Sequence, residues 1–271
     1  MTSAGDEGRR DHYAIERELA DRLRHARSAE ERRQLYPVVY RERSERIARH
    51  PLVERARDPA AQAAAAAPQA SLIRSFVGPE DVLLEIGAGD GAVAHAVAPH
   101  VRRAIAVDVT DALAIPDDPS IGYEFRVFDG FSLDLEHAVD FAYSNDVAEH
   151  LHPEDFEAHC RAVRAALLPG GRYLCVTPNR LSGPHDVSRH FTAEPSGFHL
   201  REYTATELAS ALLRSGFARA RIIVSVGGRR VGPALPVVVA ACVEAVVARL
   251  PRRLRRAVGP VLAAIKVIAE T

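Results

Sequence analysis

The chain has no tryptophan, one methionine and three cysteines. Cys160, Cys175 and Cys242 lie far apart in sequence, which excludes a disulfide scaffold or a clustered thiolate metal site and suits free thiols in a reducing compartment. A cytoplasmic location is the matching expectation. Long apolar runs are missing too: the longest uncharged one, Val231–Val243, is well short of the roughly 20 residues that span a bilayer. The opening residues, MTSAGDEGRRDHY, lack the apolar centre of a secretory signal. Neither sign of charge predominates, with 35 Lys and Arg against 36 Asp and Glu and a net charge of −1. No global field therefore draws the protein to nucleic acid. There is no internal repeat, no Ser-His-Asp arrangement and no Cys-x-x-Cys. What is present is a 47% hydrophobic chain of 271 residues, enough for one α/β domain with appendages. The abundance of Ala and Arg without Trp is associated with high-GC bacterial sources.

Three regions follow one another. Residues 1–70, rich in Arg, Glu and Ala, predict an N-terminal helical cap, with helices near 14–26 and 29–48. Ser28 and Glu31 fit a capping box for the second. The alanine-rich stretch 58–70, between Pro59 and Pro68, fits either helix or linker. Residues 71–227 alternate strand and helix patterns: strands at Val82–Ile86, Ala104–Val107, Tyr123–Phe128, Ala138–Tyr143, Tyr173–Val176 and Phe217–Val226, helices at Phe156–Leu168 and Ala205–Ser215. Thr204 with Glu207 reads as a cap. Such alternation predicts an α/β, Rossmann-like, mostly parallel sheet with helices on both faces. Residues 228–271 hold a Gly/Pro break, an apolar helix near 236–250, a basic turn at Arg252–Arg256 and a last strand near 261–269. They are expected to form a helical lid insert and the final strand.

The most informative stretch is Val82-Leu-Leu-Glu-Ile-Gly-Ala-Gly-Asp-Gly91. A buried strand carries Glu85, then glycines stand at 87, 89 and 91 before an apolar helix. Glycine lets the backbone turn sharply and approach a nucleotide-like ligand closely. The spacing is not the dinucleotide fingerprint. It resembles the first motif of class I S-adenosylmethionine-dependent methyltransferases, and the likeness extends over about residues 75–227. The resemblance implies S-adenosyl-L-methionine as cofactor and a seven-stranded sheet closed by an antiparallel last strand. Its contacts would come from Glu85, Gly87, Ala88, Gly89 and Gly91 at the glycine turn. Asp108, ending the second strand, would bind the ribose hydroxyls. Asp129 and Gly130 after the third strand would meet adenine, and Asn145 ends the fourth strand beside the methyl group. A strand-end acid about 20 residues past the glycines is also what nucleotide folds use for ribose.

After the fourth strand comes Asp146-Val-Ala-Glu149-His150. If a helix begins there, positions 146, 149 and 150 share one face. With His199 they form a candidate set for a divalent cation, Mg or Mn. This arrangement is similar to that of small-RNA 3′-end 2′-O-methyltransferases and some ubiquinone-pathway O-methyltransferases, where the cation orients substrate oxygens. The alternative for Asp146 is an N-cap with Glu149 as its capping-box partner. His150, His185 and His199 are candidate catalytic bases for an alcohol nucleophile, and the polar loop 177–199 is expected to face the substrate.

The leading reading is O-methylation of a small or medium-sized metabolite, such as a secondary metabolite or a sugar hydroxyl. The alternatives are a metal-dependent RNA 2′-O-methyltransferase, and a non-methylating cofactor-binding protein or cyclase on the same fold. The expected partner is a small molecule. Nucleic acid is disfavoured by charge, a homodimer is open, and the basic segment 252–256 is expected to be a solvated face rather than a peripheral membrane contact. Tyr36 and Tyr40 are candidates to close over the cofactor, with core packing as their alternative role.

Overall fold

The computed structural model describes residues 3–47, 51–257 and 263–271. Four helices come first: α1 (Ser3–Arg24), α2 (Ala29–Arg46), α3 (Pro51–Ala56) and α4 (Pro59–Arg74). The expected end of α2 at Ala48 lies outside the described residues. Ser28 caps α2 by accepting from the Glu31 amide, but the Glu31 carboxylate reaches the Arg27 amide instead of closing a box. The ambiguous segment 58–70 is helix. Asp58 accepts from Ala60 and Ala61, and Pro59 stands in the first turn, where its missing N–H costs nothing.

The core alternates as β1 (Val82–Ile86), α5 (Ala92–Val97), β2 (Arg103–Asp108), β3 (Tyr123–Val127), β4 (Val139–Asn145), α6 (Pro153–Ala166), β5 (Leu167–Pro178), α7 (Ala205–Arg214) and β6 (Arg219–Ile222). Thr204 and Glu207 form the full capping box of α7. The expected strand 217–226 is shorter. After β6 the chain makes a hairpin of β7 (Ser225–Val226) and β8 (Arg229–Arg230), then β9 (Leu235–Pro236), α8 (Val237–Ala248), α9 (Arg252–Ala257) and β10 (Ala264–Glu270).

The main sheet runs β3-β2-β1-β4-β5-β10-β6-β9. β1 to β5 are mutually parallel, and β10 lies antiparallel between β5 and β6. The expected antiparallel closing strand is thus β10, while the two-residue β9 makes the sheet eight-stranded rather than seven. All five residues of β1 are buried, as a strand covered on both faces requires. One face packs α1, α2, α6 and α7, for example through Leu19, Val39, Phe156 and Leu208. The other packs α4 and α5 through Ile73, Ala94 and Val97. Reversal of strand order between β1 and β4 opens a crevice at the carboxyl ends of these strands, where open α/β sheets take ligands.

Candidate functional site

A cleft of about 570 Å³ occupies that crevice. Its floor is the glycine turn between β1 and α5. Gly87 and Gly91 both have left-handed backbone, with φ of +66° and +76°. A Cβ on Gly91 would stand 2.1 Å from the Tyr123 hydroxyl, and one on Gly87 would stand 2.3 Å from a Val147 methyl. Each position therefore needs glycine twice over, for its dihedral and for its space. Gly91 does not line the cleft; its role is to start α5 against Tyr123.

Carboxylates converge on the turn. Glu85 accepts from the Ala94 amide in the first turn of α5 at 2.7 Å, and Asp108 accepts from the Gly89 amide at 2.7 Å. Burial raises both, Glu85 to about 8 and Asp108 to about 6, against the lowering effect of those amide bonds. Asp90 is also buried; one oxygen accepts from the Ala92 amide while the other has no hydrogen-bond partner. Arg55, from α3, lines the cleft 3.7 Å from that second oxygen, and its Nε is likewise unpartnered.

The structure places Glu85, Gly87, Ala88, Gly89, Asp108, Gly130 and Asn145 along the cleft, but not Asp129. The Asp129 carboxylate turns back to accept from the Phe131 and Ser132 amides at 2.7 and 2.6 Å, so the expected adenine contact is committed to its own turn. A residue the sequence did not single out, His159 of α6, stands beside it. Its Nδ1–H donates to the Gly130 carbonyl at 3.1 Å. Its Nε2 is buried without a partner, and burial lowers its pKa so that the ring is neutral.

At the other end of the cleft are Glu149, His150 and His199, one ligand atom from each lying within 4.8 Å of the others. The chain between β4 and α6 is a tight 3-10 turn over 148–150, not the start of a helix. Asp146, with φ of +56°, therefore does not share a helical face with Glu149 and His150, nor does it cap a helix; α6 is capped by His152. Asp146 lines the cleft and accepts from the Asn145 side chain at 2.7 Å, but it lies outside the three-residue group. The expected helical face and the N-cap are both corrected because a 3-10 turn separates Asp146 from α6, although the Asp146 charge still acts on Glu149.

His199 reaches the group because its loop is laced to the 148–150 turn. The amides of Leu200 and Arg201 donate to the Glu149 carbonyl at 2.7 and 3.1 Å, and Arg24 of α1 holds the carbonyls of Gly197 and His199. Each imidazole has its Nδ1 committed: His150 to the Phe198 carbonyl at 3.0 Å, His199 to Glu202 at 2.9 Å. Each Nε2 is thereby oriented as a lone-pair donor, the arrangement in which a carbonyl or carboxylate behind the ring fixes the tautomer of a metal-binding histidine. Glu149 accepts from Thr177 through one oxygen at 2.8 Å, and its other oxygen is buried and unpartnered. Burial, and then the charge of Asp146, raise Glu149 to about 8. A buried carboxylate oxygen without a partner, grouped with two imidazoles whose Nδ1 atoms are already committed, is a donor set that fits a divalent ion. Burial lowers the His150 pKa; for His199, Glu202 and the neighbouring carboxylates outweigh burial and raise it.

His185, the third candidate base, lines the cleft, but its Nε2 bonds the Asn179 carbonyl and Ser182 within its own loop. Asp186 organises that loop by accepting from the amides of Ser188 and Gly197. The N-terminal helices complete the walls through His12, Glu16, Tyr40, Arg43 and Gln69. Tyr36 and Tyr40 both line the cleft. The Tyr36 hydroxyl is tied to Asp155 and the His152 amide, while the Tyr40 ring stands edge-on to Phe198 and His150. No described residue of α8 lines the cleft; α8 packs on α7 and β6, away from the lid position expected for it.

Residues 17–220 match the profile of a family described as a methyltransferase domain. The chain belongs to this methyltransferase-domain family. A Mycolicibacterium smegmatis protein named "probable S-adenosylmethionine-dependent methyltransferase" is 34% identical over 140 residues, covering 50% of this chain and 51% of its own. The chain thus spans about half the length of the curated relative it matches. Among solved structures, a Burkholderia thailandensis 1,6-didemethyltoxoflavin N1-methyltransferase, with its substrate and S-adenosylhomocysteine bound, superposes with a TM-score of 0.50 at 20% identity, covering 79% of this chain and 81% of its own. An O-methyltransferase assigned in Nostoc punctiforme superposes at 0.52 with 17% identity, covering 82% and 61%. At these identities the likeness is one of fold. The matched span runs from the last third of α1 into β6, so it includes α2 and α4 but not the wall residues His12 and Glu16.

Proposed function

We propose that the protein transfers a methyl group from S-adenosylmethionine to a hydroxyl of a small or medium-sized metabolite. The observation that carries the cofactor assignment is the charge of the cleft. Glu85, Asp90, Asp108, Asp146 and Glu149 face Arg43 and Arg55, and Arg43 is already bound by Glu16. Burial holds Glu85, Asp108 and Glu149 toward their neutral forms, a cation beside them would offset that burial, and S-adenosylmethionine carries a sulfonium and an ammonium. When bound it supplies a methyl group already activated by the positive sulfur. Asp108 would take the ribose hydroxyls. Arg55 and Asp90, a loose ion pair at the glycine turn whose facing atoms make no hydrogen bond, would take the carboxylate and ammonium of the methionyl end. His159 would accept from the adenine amino group in place of Asp129.

Glu149, His150 and His199 would hold a divalent cation, which supplies Lewis acidity toward an acceptor oxygen. Two imidazole nitrogens favour Mn over Mg, whose preferred ligands are oxygens. Asp146, which lines the cleft outside that three-residue group, is the carboxylate left to receive the hydroxyl proton. Methyl transfer to the ribose of an RNA end is a second reading, supported by the same three residues; the net charge of −1 speaks against it.

Calorimetry with S-adenosylmethionine tests the first assignment. Binding in the micromolar range is expected, and Asp108→Asn should weaken it at least tenfold, by about 1.4 kcal/mol or more, since charge-assisted bonds are lost. No heat with folded protein overturns it. Turnover of metabolite hydroxyls against that of short RNA 3′ ends separates the two acceptors.

A further inference from the structure

Helix α8, VVVAACVEAVVA, has a mean composition that belongs in a core, yet it lies on the surface. Val238 and Val246 are 65% and 61% exposed, and Val239, Val243 and Leu254 of α9 are also exposed. Single exposed aliphatics are ordinary; a run of them on one helix marks a contact surface. The inner side is satisfied: Val237, Val247 and Ala240 pack toward the core beside α7 and β6. The outer side among the described residues has no covering element.

Charge selects the occupant. Residues 237–257 contain five arginines and one carboxylate, Glu244. Glu244 does not face outward with the valines, because both its oxygens are held by the amide and hydroxyl of Thr206 on α7. Arg249 and Arg253 are exposed immediately beyond the apolar turns. An apolar face with basic flanks and its acid turned inward is the pattern of a helix lying in a membrane interface, where side chains enter the acyl boundary and arginines meet lipid phosphates. No helix among the described residues is long and apolar enough to cross a membrane, so the contact is peripheral. α9 also adjoins the acceptor-side loop: Arg255 lines a recess with Arg180, Gly183, Pro184 and Glu202, the residue that holds His199.

We propose that the outer face of α8 and α9 docks on an anionic membrane surface. The test is co-sedimentation of the full chain with vesicles of phosphatidylcholine containing phosphatidylglycerol, and of phosphatidylcholine alone, at low and high salt. The bound fraction should be at least tenfold greater with the anionic vesicles and should fall with added salt. Val243→Asp with Val246→Asp, and separately Arg249→Glu with Arg253→Glu, should each abolish it while leaving the circular-dichroism melt unchanged. Absence of sedimentation by folded wild-type protein overturns the proposal, as does binding that survives both double substitutions. So does a dimer in light scattering that the valine substitutions dissociate, which would assign the face to a second copy of the chain. Because the cofactor cleft is untouched by these changes, calorimetry with S-adenosylmethionine should be identical in all variants.

Discussion

His159 and Glu202 show how single side chains set the chemistry of this cleft from positions without any motif. His159 offers a bare, buried nitrogen beside Gly130. His159→Phe should keep the fold and weaken S-adenosylmethionine by about tenfold, within the range of one lost hydrogen bond in a buried site. An analogue in which the adenine amino group is replaced by a carbonyl should bind wild type and variant alike. Equal loss of both ligands in the variant would mean that His159 only shapes the wall. Glu202 is 1% exposed and grips the His199 ring from behind. Glu202→Gln should weaken Mn binding about 10- to 100-fold, measured by the free-Mn resonance signal. Unchanged Mn affinity would reduce Glu202 to a fastener of the His185 amide. Neither residue was legible in the sequence. Glu85 and Asp108 were, because each stands within or ends an apolar run and such placement has few structural uses. His159 sits on an ordinary amphipathic helix, and only the three-dimensional approach of Gly130 distinguishes it. Asp129 misled for the opposite reason: an Asp-Gly pair after a strand satisfies a turn as readily as a ligand.

At the scale of elements, α2 is held by a buried ion pair as well as by the apolar packing of Tyr36 and Val39. Its Arg32 makes paired hydrogen bonds to Asp155 of α6 at 2.6 and 2.7 Å, with both side chains at most 4% exposed. Tyr36 adds a bond to the same carboxylate. Removing one partner of a buried pair leaves the other charge stranded, so Arg32→Ala should cost about 3 kcal/mol or more in urea denaturation. The double variant Arg32→Met with Asp155→Leu should recover much of that loss. Additive losses would show that the two side chains are not coupled. Because α2 carries Tyr40 and Arg43 into the cleft, loosening it should raise the Michaelis constant for cofactor before it lowers overall helicity. Strand positions and the α7 cap were readable because period and capping are local. The 3-10 turn at 148–150 was not: the Glu-His spacing is equally compatible with a helix, and the chain turns extended at Leu151 before α6 begins. The long-range bond between Arg32 and Asp155 has no local signature at all.

For the whole molecule, the cleft makes stability and ligand binding depend on pH in opposite senses. Glu85 is raised in the fold from 4.5 to about 8 and Asp108 from 3.8 to about 6. Between the unfolded and folded values the native state holds more protons than the unfolded chain, so stability falls as pH rises. The cofactor-free protein should therefore lose melting temperature from about pH 4 to about pH 8 through these groups and level off above. A cation in the cleft favours the ionised carboxylates, so S-adenosylmethionine should bind more tightly across the same window and restore most of the lost stability near pH 8.5. Thermal melts with and without cofactor at half-unit steps check this. Cofactor stabilisation that does not change with pH would mean that these acids do not contact it.

The position of β10 carries a consequence for synthesis. It is made last among the described strands yet lies in the interior of the sheet, between β5 and β6. Until residue 270 has left the ribosome, both of its neighbours present bare ladder edges, and such edges recruit other chains. The nascent protein thus passes through a stage in which nearly all of its fold can exist with its centre unstitched. Slow elongation or scarce chaperone while residues 264–270 emerge prolongs that exposure.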